Sequence, residues 1–442
     1  MHQARLAAII EAKWPVLQAH MNGSPLSLTK LDHVRGSARG LQRVQDFDAL
    51  DKERLLRSSG SRFLLKADLS RFYHTLYTHS IAWALHTKEI AKARQFDRAL
   101  EGNVLDEAVR NTQDKQTLGI PVGPVTSDLI SEILGAAMDV ELVGANPRLK
   151  GMRFVDDYYL YLATRSHAEK VLADLHSVTT HYGLEINPLK TRIVELPEAI
   201  RPSWITELRS MSIRSESQQD DLLAFFSRAY DFAAKYPGNN VLKYAVKHST
   251  GFEVQADSWE LYESFLLGSL VAEPTLAPTL APVLLDCRDS KGFIFNIERL
   301  TDSLTEVISY HARSKQAYEV AWALWISKLL GVVLPESVWP EISRIDDSIV
   351  ALIALDLKQS GMADPLQPDL WSQHMGKDHL YSENWLLAYE AFVKGWLPSL
   401  NGTNYVANDD FFGQLAGNNI EFYDAETADA ATDSDWLTAY LG

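Results

Sequence analysis

The chain has 442 residues, 46% hydrophobic and 23% charged, the make-up of a globular protein with room for two or three domains. No stretch reaches the uninterrupted apolar run of about 20 residues that a membrane span needs, and the opening MHQARLAAIIEAKWP, broken at once by Glu11 and Lys13, predicts no cleaved leader. One cysteine, Cys287, excludes an internal disulfide and a cysteine-based zinc site, and suits a reducing cytoplasm.

The net charge of −16 is unevenly spread. Residues 1–100 hold 16 Lys and Arg against 9 acids, residues 1–200 hold 25 against 24, and the remainder holds 17 against 34. The last 42 residues contain eight acids and no Lys or Arg. An anionic substrate is therefore expected at the front of the chain.

From about residue 60 to 200 the pattern alternates between strand and helix. RFLLKADLS has the period-two alternation of a half-buried strand ending at Asp68. TSDLISEILGAAMDV predicts a helix from Thr126 to about Val140. RFVDDYYLYLA, from Arg153, reads as strand, tight turn, strand, with Asp156 and Asp157 at the tip. Ala168, Val171, Leu172, Leu175 and Val178 recur at helical spacing, and Gly183 is placed to end that helix. LEIN and RIVEL follow as short strands, and Pro197 and Pro202 mark a boundary.

Beyond about 203 the pattern is helical. Trp322, Trp325, Ile326, Leu329, Leu330 and Val333 form one apolar stripe, and Trp385, Tyr389, Phe392 and Trp396 another; stripes of this period are what packed helices require. PTLAPTLAPVLLD reads as a turn region between helices. Residues 405–442 form an acidic tail whose Phe411, Phe412, Phe422, Tyr423 and Trp436 suit docking on the body.

Taken alone, adjacent aspartates are an ordinary solvated turn. Asp68 at the end of a buried strand changes the weighing, because neighbouring strands would bring three carboxylates into one cleft. Such acids repel one another and rise in pKa unless a cation neutralises them. Mg²⁺ is the natural partner, preferring carboxylate oxygen and sharing itself with phosphates, and two such ions promote in-line phosphoryl displacement. Gly119, Pro121, Gly123 and Pro124 make a side-chain-poor loop, open to close approach by a nucleotide, that leads into a helix at Thr126 or Ser127. Lys190, after a turn, either reaches a triphosphate or is a solvated lysine.

The order Asp68, Gly119-x-Pro-x-Gly with Ser127, Phe154-Val155-Asp156-Asp157 and Asn187-x-x-Lys190-Thr191 resembles motifs A, B, C and D of reverse transcriptases, over roughly residues 30–200. SRFYHTLYTHSIAWALH and the long helical rear are most similar to the bacterial anti-phage group, the abortive-infection and defence-associated reverse transcriptases. The resemblance implies an α+β fold: fingers and palm over 1–200 (motif A near 68, B 117–127, C 154–157, D 183–191), then an all-α domain over 201–442 replacing or extending the thumb.

It implies Asp68 and Asp156 as principal metal ligands with Asp157 beside them, two Mg²⁺ ions (Mn²⁺ as substitute) and Lys190 as the motif D lysine. Tyr73 would exclude a 2′-hydroxyl. Phe72, Gly119, Pro121, Gly123, Ser127 and Phe154 would line the nucleotide side, and Arg35, Arg39 and Arg43 would offer contacts to a triphosphate or strand. The implied partners are dNTPs, a DNA product and an RNA template or non-coding RNA, without a membrane, in a homo-oligomer built through the helical domain, in the bacterial cytoplasm. Two departures stand out: Phe154 replaces the motif C tyrosine, and Leu118 replaces the glutamine before the motif B glycine, with Gln116 two places early. The second, with the resemblance to the anti-phage group, points toward untemplated or unusually templated synthesis, and that resemblance alone implies a protein-primed start. Conventional RNA-templated copying and a palm-shaped nucleic-acid-binding scaffold are the alternatives.

Overall fold

The computed structural model of the chain describes residues 2–33, 40–44 and 47–425, so Arg35, Arg39 and Trp436 lie outside the described residues. The chain divides into two units between Pro202 and Ser203.

The first unit opens with α1 (His2–Asn22), a ribbon of β1 (Leu31–Asp32) and β2 (Gln42–Arg43), and α2 (Phe47–Ser58). RFLLKAD becomes β3 (Phe63–Asp68), followed by the short helices α3 (Phe72–Thr75), α4 (Ser80–His86) and α5 (Lys88–Ala93), then α6 (Glu101–Asn111). The helix expected from Thr126 is α7 (Val125–Ala145), longer than its apolar pattern suggested because nothing in Glu141–Ala145 breaks it before Pro147. The hairpin forms as β4 (Lys150–Phe154) and β5 (Asp157–Leu162), and α8 (Arg165–His181) and β6 (Arg192–Glu195) complete the unit. LEIN is not a strand. It makes a single bridge, Leu69 to Ile186, because its backbone serves the end of β3: Ser70 N donates to Glu185 O at 2.8 Å and Asn187 N to Asp68 O at 2.8 Å.

The antiparallel sheet has the order β4-β5-β3-β6. Side chains alternate across it. Leu65, Ala67, Tyr158, Leu160 and Leu162 join the large core that also takes in α7 and α8. Leu64, Met152, Phe154 and Tyr161 form a smaller core on the opposite face with Leu28 and Leu50 of α2. Lys66, Asp68, Asp157 and Tyr159 share the face of Leu64 by period two. Leu64 is covered there, whereas these four line an open cleft.

In the second unit every regular element among the described residues is a helix, around one continuous core. Trp339, Trp371, Tyr262 and Tyr389 are fully buried in it. The stripe from Trp322 lies on the helix Ala317–Leu330, which stops at a left-handed Gly331 and leaves Val333 exposed instead of continuing the stripe. PTLAPTLAPVLLD is mostly helix, not turn: Ala277–Asp289 is helical, with Pro278 in the first turn, where its missing N–H leaves no bond unmade. The tail is packed as far as Ala425. Tyr405, Val406, Phe412 and Tyr423 are buried, and Tyr423 donates to Asp356 Oδ2 at 2.7 Å beside Lys328, which caps Ala425 O at 2.7 Å. Among the described residues no single helix is long and apolar enough to cross a membrane; the bent pair Ala256–Ala272 and Pro274–Asp289 passes that test only when taken together.

Candidate active site

The register of β3 on β5 sets Asp68 directly across from Asp157. Opposed side chains in an antiparallel pair share a face at close range, and like charges there are unfavourable. The sequence made Asp68 and Asp156 the principal pair. In the fold Asp157 is the register partner of Asp68, while Asp156 sits in the two-residue turn with its carbonyl accepting from Leu69 N at 3.2 Å. All three acids remain within electrostatic reach. Burial, then its own backbone hydrogen bond opposing, then the Asp68 charge leave the Asp156 carboxyl raised. Burial first, then Asp156 and Asp68, push Asp157 up to about 6.

Lys190 Nζ stands 2.9 Å from Asp68 Oδ2, its ammonium held charged by that hydrogen bond. The turn that carries it is built by Asn187, whose Oδ1 accepts from Leu189 N at 3.1 Å. An open cleft of about 320 Å³ is lined by Asp68, Asp157, Lys66, Tyr159, Lys190 and Arg192. Lys66 and Arg192, cross-strand neighbours, both engage Glu198, at 2.6 and 3.2 Å. The sequence reading missed both cations, though their period-two relation to Asp68 and the β6 strand was there to find.

Tyr73 follows Arg71, whose left-handed backbone (φ 48) turns the chain into α3. The glycine–proline loop is strapped to that helix: Gly119 N donates to Leu76 O and Ile120 N to Tyr73 O, each at 2.8 Å. Gly119 has φ 82, and a Cβ there would lie 2.9 Å from His74 O, so only glycine fits. Pro121 and Gly123 are exposed at the loop tip, as is Leu118. Tyr73 Oη donates to Asp128 Oδ1 at 2.7 Å, and Arg43 reaches the same oxygen at 3.3 Å. Three residues expected on the nucleotide side have buried side chains. Phe72, Ser127 and Phe154 are 2, 4 and 4% exposed: Phe72 packs edge-on against Tyr73, Ser127 is enclosed in the first turn of α7, and Phe154 fills the smaller core.

Beneath the acidic turn lies a buried network that the sequence did not reveal. Arg153 is fully buried and pairs with Asp139 and Glu132, each at 3.0 Å. Ser24 donates to Asp139 at 2.6 Å and Thr29 to Glu132 at 3.1 Å. Burial pushes the Asp139 carboxyl up to about 6 against the pull of Arg153. Val155, a β-branched residue held at φ 56, is pinned from both sides, its N–H donating to Thr29 Oγ1 at 3.2 Å and its carbonyl accepting from Arg153 at 2.9 Å. The available signal was Glu132 and Asp139, seven apart and so on one face, two helical turns from each other in a predominantly apolar helix.

A model of the reverse transcriptase (RNA-dependent DNA polymerase) family matches residues 17–227. Those residues, just under half of the chain, are similar to a reverse transcriptase domain. The match runs past Pro202 into the first helices of the second unit. No curated protein matches the chain. Among solved structures, apo telomerase from Candida Tropicalis is similar at 14% identity with a TM-score of 0.31; the match covers 72% of this chain, which spans 57% of the telomerase chain.

Reverse transcriptase domains generally depend on divalent metal. Among the described residues no three Asp, Glu, His or Cys side chains are already gathered as a ligand set. The donor chemistry nevertheless fits a hard cation: the donors are carboxylates, and the Lys190 ammonium supplies positive charge to Asp68. Asp157 holds its proton in the folded chain above the ordinary 3.8, so its ionisation costs stability as pH climbs from about 4 toward 6, and a bound cation offsets that cost. Mg²⁺ is therefore expected to raise the melting temperature more at about pH 7.5 than at about pH 5 in a thermal-shift titration. Equal shifts at both would remove these carboxylates as the binding site.

Proposed function

We propose that the protein is a DNA polymerase of reverse transcriptase type that adds dNMPs to a 3′-hydroxyl, by phosphoryl transfer, in bacterial anti-phage defence. The observation that supports this best is Asp68 opposed to Asp157 at the mouth of a cleft, with Lys190 on one side and Tyr73 nearby along the chain. Asp68, Asp156 and Asp157 would hold two Mg²⁺ ions, or Mn²⁺ in their place, which when bound activate the attacking hydroxyl and neutralise charge on the phosphates. Lys190 leaves Asp68 to meet the triphosphate and gives a proton to the departing pyrophosphate. Tyr73 lies under the sugar and excludes a 2′-hydroxyl. Arg43 contacts the triphosphate. The helical second unit takes the place of a thumb and supports oligomers in the cytoplasm.

The exposed, apolar Leu118, where the family has a glutamine, favours synthesis that is untemplated or unusually templated, with a protein hydroxyl as one source of the primer. The test is to supply each dNTP with Mg²⁺, with and without a defined RNA or DNA primer–template, and to sequence the product. Product formed without added nucleic acid is expected. Product whose length and sequence follow the template would establish conventional copying instead. Nucleic acid bound with no incorporation under any condition would leave a scaffold.

A further inference from the structure

We propose that Asp128, in the first turn of α7, positions Tyr73 and thereby sets discrimination between deoxy- and ribonucleoside triphosphates. The inference rests on the reading of Tyr73 as the side chain that meets the sugar. An exclusion of that kind works only if the ring cannot yield, since a displacement of less than an ångström makes room for a hydroxyl. The sequence around Tyr73 offers little rigidity of its own. Its helix is four residues long and begins at a left-handed Arg71.

The structure supplies rigidity in two places. The main chain is held by the glycine–proline loop through Ile120 N on Tyr73 O at 2.8 Å, and Phe72 packs edge-on against the ring at 5.7 Å. That leaves the side-chain torsions free, and they are fixed from the far end, where the phenol donates to Asp128 Oδ1 at 2.7 Å. Ser131 Oγ lies 3.3 Å from the same phenol, but its one hydrogen goes to Asp128 O at 2.8 Å, so it packs against the phenol without a second donated bond. A hydrogen bond to a carboxylate is among the stronger ones available, so Asp128 dominates the clamp.

Arg43 explains how a carboxylate is tolerated so near a site for an anionic substrate. Its guanidinium reaches the same Oδ1 at 3.3 Å and balances the charge, while Asp128 itself is only 22% exposed. Asp128 thus ties together β2, α3 and α7 at one atom. It acts on the sugar only through Tyr73 and is a positioning residue.

The test uses the full chain and compares kcat/KM for dATP and ATP with Mg²⁺. Asp128→Ala is expected to raise ATP use relative to dATP about tenfold, the worth of a charge-assisted hydrogen bond. Asp128→Asn keeps an acceptor oxygen and is expected to restore most of the discrimination. Tyr73→Phe should reproduce the alanine effect, and combining it with Asp128→Ala should add nothing further. If Asp128→Ala changes both nucleotides by the same factor while Tyr73→Ala relaxes discrimination, the clamp is wrong and Tyr73 keeps its role. If Tyr73→Ala leaves discrimination unchanged, the role of Tyr73 fails and takes the clamp with it.

Discussion

Exchanging Asp157 for asparagine, or Asp68 in a second variant, is expected to lower deoxynucleotide incorporation at least about a thousandfold while leaving the fold at least as stable. The first part follows from the chemistry. Metal-bound charge stabilisation in phosphoryl transfer is worth several kcal/mol, and each 1.4 kcal/mol is about tenfold in rate. The second part follows from the register. Asp68 and Asp157 oppose each other across β3 and β5, and burial already holds the Asp157 carboxyl up to about 6. A neutral amide of the same shape removes both the repulsion and the cost of ionising a buried acid at neutral pH. The combined signature is a protein that melts no lower than wild type without metal, gains less from Mg²⁺, and incorporates nothing measurable. Incorporation within tenfold of wild type would remove these acids from the chemistry.

Arg153→Met is expected to be the most damaging single change away from the cleft, costing about 3–5 kcal/mol of unfolding free energy. The guanidinium is fully buried, and its loss strands Glu132 and Asp139, which are 3 and 0% exposed, without their counter-charge. Replacing all three by apolar residues of similar volume should recover much of that loss, because a buried ion network is weak evidence of net stabilisation even though breaking it is expensive. Gly135→Ala provides an independent probe: its Cβ would fall 2.3 Å from Arg153 Cζ and force the guanidinium off its partners. Urea unfolding of the three variants tests this ordering, and a cost below about 1 kcal/mol for Arg153→Met would refute it. The same variant should also slow incorporation, because Arg153 holds the carbonyl of Val155 in the turn between the strands that carry the acids.

The parts of this fold legible in the sequence were those with a clean local period. α8 buries one face against the large core, and β3 and β5 alternate where their ends open on the cleft at Lys66, Asp68, Asp157 and Tyr159, so helical spacing or alternation survives in the residues. LEIN misled because its extended backbone bonds sideways to the end of β3 instead of forming a ladder of its own. PTLAPTLAPVLLD misled because proline near a helix start looks the same in sequence as proline in a turn. At the site, the acids and Lys190 could be found as residue types in order. Which aspartate faces Asp68 could not, because it depends on a register set by a turn of two residues. The partners of Tyr73 and Arg153 lie 55 and 14 to 21 positions away, beyond the reach of any local pattern.

That two-residue turn has a consequence for how this protein can change over generations. Adjacent positions on β5 alternate between the cleft and the helical core. One residue inserted or deleted between Asp157 and Leu162 would send Tyr158 outward and Tyr159 into a space already filled by Leu65 and Leu160. The one local adjustment, a β-bulge, would kink β5 beside the acids. Lineages can lengthen the loops before β3 and after β6, but through this hairpin their chain length should be invariant even where the residues themselves diverge.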